Sequence, residues 1–111
     1  HELPEELMDA VTALSGSGPG YFFRIAAAML AQAVRMGIGE ETALALLSQT
    51  MLGSAQMLKA GDIGPAELTQ EVATPGGTTQ AAFTAFDELG LDGAIAEGMR
   101  RCAARSAELG R

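Results

Sequence analysis

The stretch that decides the fold is PGYFFRIAAAMLAQAVRM, residues 19–36. Pro19 suits the first turn of a helix, because it has no N–H to leave unpaired and its φ is already helical. From there Tyr21, Phe22, Phe23, Ile25, Met29, Leu30, Val34 and Met36 cover most of a helical circumference, leaving Arg24, Gln32 and Arg35 as a thin polar stripe. Gly37 and Gly39 end the run. A helix that is apolar on nearly every side must be buried, and a domain this small offers little interior to bury it. The reading is a helix at the centre of a dimer.

Outward from this helix the signals stay helical. Upstream, Leu7, Met8, Val11 and Leu14 recur at helical spacing until Ser15-Gly16-Ser17-Gly18, which reads as a break. Downstream, Glu40 and Glu41 place negative charge at the start of a helix that carries Leu44, Leu47, Met51, Ala55 and Leu58 and ends at Lys59-Ala60-Gly61. Residues 63–72 form a short helix with Pro65 in its first turn, and Thr74-Pro75-Gly76-Gly77 breaks the chain again. Residues 78–89 and 91–109 are two further helices separated by Gly90, the last with Leu91, Ile95, Met99, Cys102, Ser106 and Leu109 along one stripe. No segment alternates with a period of two over strand length, so the predicted class is all-α, a single domain over residues 1–111.

Composition points to partners. The chain has 111 residues, short for a complete two-substrate enzyme with its own nucleotide fold, and it opens His1-Glu2-Leu3-Pro4 without a methionine, so an upstream domain is expected to be missing; His1 is given no chemical role. Hydrophobic residues at 48% and 14 glycines together make about 60% of the chain, above the ~45–50% of ordinary globular proteins. That surplus calls for an oligomer. A net charge of −7 opposes binding to nucleic acid or an anionic membrane. The single cysteine, Cys102, allows neither an internal disulfide nor a cysteine metal cluster and fits a reducing cytoplasm. The longest apolar run, residues 25–31, is too short to cross a bilayer.

Chemistry concentrates at Thr74-Pro75-Gly76-Gly77-Thr78-Thr79. Proline stiffens the entry, the glycines let backbone approach a ligand, and Thr78 and Thr79 open a helix whose first N–H groups have no intrahelical partner. These donors and the helix dipole suit an anion. The absence of a lysine beside the last glycine disfavours phosphate and favours a carboxylate. The same residues also read as a plain turn in which Thr74 or Gly77 caps the helix. The second glycine cluster, Gly16-Ser17-Gly18-Pro19-Gly20, lacks the spacing and preceding strand of a dinucleotide loop. It reads either as a helix–helix corner or as a place where Ser15 or Ser17 faces an active-site cleft. Cys102 reads as a packing cysteine, Arg24, Arg35 and Arg100 as solvated or ion-paired, and no nucleophile–base pair or metal set is present.

Residues 9–23 (DAVTALSGSGPGYFF), 49–55 (QTMLGSA) and 72–79 (VATPGGTT) together resemble the pyrroline-5-carboxylate reductase family, and the likeness spans almost the whole chain. The resemblance implies hydride transfer from NADPH or NADH to the C=N bond of 1-pyrroline-5-carboxylate, giving L-proline. It also implies a preceding Rossmann domain, C-terminal helical domains interlocked into a homodimer that can assemble further, and active sites formed between the two kinds of domain. Carried residue by residue, Thr74, Gly76, Gly77, Thr78 and Thr79 would hold the substrate carboxylate. Arg24 stands where some members have a threonine near the imine nitrogen, so no proton donor and no catalytic residue are assigned. Gly20 and Thr74 replace the family's common alanine and serine. The fragment alone is expected to be inactive. Competing readings are a ligand-free helical dimerisation module and the helical domain of another imine or β-hydroxyacid reductase.

Overall fold

A computed structural model describes residues 4–110; His1 lies outside them. A 3-10 turn, Glu5–Leu7, leads into α1 (Met8–Val11) and a π turn (Thr12–Gly16), then α2 (Gly18–Arg35), α3 (Glu40–Ala60), α4 (Pro65–Val72), α5 (Thr78–Leu89) and α6 (Leu91–Leu109). Among the described residues there is no strand, as the hydrophobic periodicity requires.

Helix ends fall where the punctuation placed them. After α2, Gly37 adopts φ +105, its N–H donates to the Val34 carbonyl at 3.0 Å, and the Ile38 N–H donates to that of Ala33 at 3.1 Å. This pair of bonds is a Schellman motif, which satisfies carbonyls the helix end would leave orphaned. Gly61 and Gly90, both at φ +74, close α3 and separate α5 from α6. Pro65 opens α4 next to Gly64.

The Ser15–Gly18 break lies at Ser17, between the π turn and α2. Helical geometry continues through Gly16, and only Ser17 is non-helical. The Ser17 N–H reaches back five residues, to the Thr12 carbonyl at 2.9 Å. The small-residue run breaks the chain as expected, and what the spacing did not foresee is that the helix before it closes in the π register.

The chain divides into two compact units: the described residues up to Phe23 with those from Ala85 onward, and Arg24–Thr84. In the first, α6 packs on α1 and the π turn around buried Ala13. Polar bonds tie these segments: Ser106 donates to Asp9 at 2.8 Å, the Cys102 thiol to the Ser17 hydroxyl at 3.2 Å, and the Tyr21 hydroxyl to the Ala13 carbonyl at 2.6 Å. In the second, the α2–α3 hairpin buries Ala43 and Leu47 beside an open apolar depression of about 170 Å³ that Leu30, Ala33 and Ile38 also line.

Within one chain, α2 is not buried as its composition demands. Phe22, Phe23 and Met36 are 60%, 71% and 74% exposed. Large apolar side chains left this exposed along one helix mark an interaction face.

Candidate functional site

The 74–79 segment is a tight turn feeding directly into α5. The Gly77 N–H donates to the Thr74 carbonyl at 2.9 Å, with Pro75 and Gly76 between them. Gly76 has φ +73, and Pro before a left-handed residue defines a type II turn. Any other residue at Gly76 would strain the backbone. Gly77 is constrained for a different reason: a Cβ there would displace the Thr74 hydroxyl and sit 3.1 Å from the Thr74 carbonyl oxygen, a tight contact. The Gly77 carbonyl accepts from the Ala81 N–H at 3.2 Å, so Thr78, Thr79 and Gln80 form the first turn of α5. Their N–H groups lie at the positive end of a twelve-residue helix. Thr74 and Thr78 are exposed, and Thr79 is half-buried. Gly77, whose carbonyl accepts the Ala81 N–H, is the N-cap residue of α5, and among the described residues the hydroxyls of Thr74, Thr78 and Thr79 bond to no protein group. The turn thus presents three hydroxyls and a helix start, a set that can hold a small carboxylate.

The 15–20 corner is built differently. The exposed Ser15 hydroxyl donates to the Val11 carbonyl of its own helix at 3.1 Å, and half-buried Ser17 accepts from Cys102. Gly18 is buried, and the Gly20 N–H bonds the Ser17 carbonyl at 3.0 Å. Hydrogen bonding to Ser17, then to Tyr21, holds the Cys102 thiol below its ordinary pKa. Cys102, and secondly burial, pushes the Tyr21 phenol up. Cys102 is therefore a half-buried, hydrogen-bonded cysteine rather than a purely packing one. Sequence spacing could not pair it with Ser17, 85 positions away.

The arginines pair along their own helices or stay exposed. Arg100 and Arg101 converge on Glu97, with Nε–oxygen distances of 2.9 and 2.8 Å. Arg100 first and Arg101 second hold the Glu97 carboxyl down to about 2. Arg35 donates to Gln32 at 3.0 Å, and Arg24 is exposed. No described helix is long and apolar enough to cross a membrane.

Uncovered apolar helix faces and the absence of any strand among the described residues define the class: an all-helical domain made for assembly. The chain belongs to the family described as pyrroline-5-carboxylate reductase dimerisation, whose model matches residues 5–109. It is 44% identical to pyrroline-5-carboxylate reductase of Pseudomonas aeruginosa over 105 residues, covering 95% of this chain and 38% of that protein. Identity to the enzyme of Methanosarcina acetivorans is 42% over 110 residues, covering 99% of this chain and 41% of the relative. The chain thus spans about two fifths of the length of these curated relatives. Among solved structures, Plasmodium falciparum pyrroline carboxylate reductase with NADP bound superposes with a TM-score of 0.94 at 27% identity, over 100% of this chain and 42% of that one.

Proposed function

We propose that this chain is the helical dimerisation and substrate-binding part of a cytoplasmic pyrroline-5-carboxylate reductase, which reduces 1-pyrroline-5-carboxylate to L-proline with NADPH or NADH. The observation that carries this reading is the 74–79 turn. Its left-handed Gly76, side-chain-intolerant Gly77 and unengaged threonine hydroxyls sit at the start of α5, where a carboxylate gains both hydrogen bonds and the helix field.

In this reading the turn fixes the imino acid. N–H groups of the first turn of α5 and the hydroxyls of Thr74, Thr78 and Thr79 grip its carboxylate and hold the ring in one orientation. Positioning of this kind is worth a large part of a bimolecular barrier. The nicotinamide cofactor, bound by a Rossmann domain outside these residues, supplies the hydride. Ser15 and Ser17 are candidate contacts to the cofactor. A second copy of the chain covers the apolar faces of α2 and α3, giving a homodimer that can assemble further. Nucleic acid and membranes are not partners, in keeping with the net charge of −7. The 111 residues alone do not turn over substrate.

Titration with proline, a stable cyclic analogue that keeps the carboxylate, tests the site directly. Backbone amide shifts are expected at Gly76 to Thr79. No shift there at saturating ligand would instead support a ligand-free dimerisation module.

A further inference from the structure

The corner before α2 holds a device that the proposed function has not used. In an α-helical register the Ser17 N–H would donate to the carbonyl of Ala13; it donates instead to that of Thr12, at 2.9 Å. The shift frees the Ala13 carbonyl, in a residue only 2% exposed, and buried carbonyls are rarely left without a partner. The Tyr21 hydroxyl, one turn into α2, takes that acceptor at 2.6 Å. A slip back to the α register would bring the Ser17 N–H onto the same carbonyl. It would also rotate the downstream backbone by about 100° and carry Ser17 away from the Cys102 thiol, now 3.2 Å from its hydroxyl. Single π turns of this kind recur at functional sites.

We propose that Tyr21 is a positioning residue: its hydroxyl holds the corner in the π register and so sets how Ser15 and Ser17, the candidate cofactor contacts, are presented. This rests on the reductase reading for its kinetic consequence, but not for its structural one. Cys102 grips the same corner from α6.

The test is Tyr21→Phe in the full-length enzyme. Hydrogen exchange in the peptide spanning Thr12 to Tyr21 is expected to quicken at least tenfold. The KM for the nicotinamide cofactor should rise at least fivefold while kcat stays within twofold of wild type. A fall in kcat with both KM values unchanged would mean a merely structural role and would overturn the proposal, as would unchanged kinetics. Cys102→Ser, which keeps a donor toward Ser17, should retain the wild-type KM that Cys102→Ala raises. A wild-type enzyme without reductase activity would sink the proposed function alone; exchange equal in wild type and Tyr21→Phe would still overturn the register role. Should Tyr21→Phe not fold, a crystal structure of the wild type decides. Ser17 N–H on the Ala13 carbonyl overturns the proposal; Ser17 N–H on Thr12, with the KM raised in Cys102→Ala, supports it.

Discussion

The two glycine-rich corners of this chain are similar in composition and opposite in construction. At 15–20 the hydroxyls are spent inside the protein, Ser15 on Val11 and Ser17 on Cys102, with α6 further fixed through Ser106 and Asp9. At 74–79 the threonine hydroxyls have no protein partner among the described residues, while the backbone is fixed by a proline, a left-handed glycine and one turn hydrogen bond. A rigid backbone with unengaged polar groups is what preorganised binding requires. A corner whose polar groups are already paired is built to hold shape.

The sharpest way to break this contrast is to add one methyl group at each corner. Gly77→Ala drives a Cβ into Thr74, so in the full-length enzyme the KM for the imino acid should rise on the order of 100-fold, as misplacement of about 1 Å commonly costs. Gly16→Ala meets only Thr12 Cγ2 at 3.5 Å, an ordinary contact, and should stay near wild type in the same assay. Equal effects at both positions would erase the distinction. A smaller effect is expected from Thr78→Ala. Losing one hydrogen bond to a carboxylate costs about 1.5–3 kcal/mol, roughly a 10- to 100-fold weaker affinity for proline by calorimetry, with melting unchanged. The smallest belongs to the other corner: Ser106→Ala removes the bond to Asp9 and should lower stability by about 1 kcal/mol in urea unfolding. Proline affinity should not change, and a shift there would show that the bolted corner also binds.

Much of this was legible in the sequence because it is written in local chemistry. Gly37, Gly61 and Gly90 mark helix ends that only a left-handed residue makes easily, and Pro65 marks a start. The 74–79 turn was legible for the same reason. At Ser15–Gly18 the break was legible but the π turn leading into it was not, since serine and glycine lower helix propensity wherever they occur, whereas a π turn depends on Tyr21 finding a freed carbonyl eight positions back. The partnership of Cys102 with Ser17 is likewise a product of tertiary packing, invisible to periodicity. The apolar excess of α2 was plain, and the exposure of Phe22, Phe23 and Met36 in a single chain is what a helix meant for a second copy would show.

That outward face changes what limits the life of the folded protein. Ala13, Ala43 and Leu47 are the buried apolar side chains among the described residues, too few to sustain a chain of this length by themselves. With a second copy as the cover, folding and pairing become one reaction, second order in protein. The melting temperature then climbs with concentration, and dilution alone dismantles what gentle warming leaves intact.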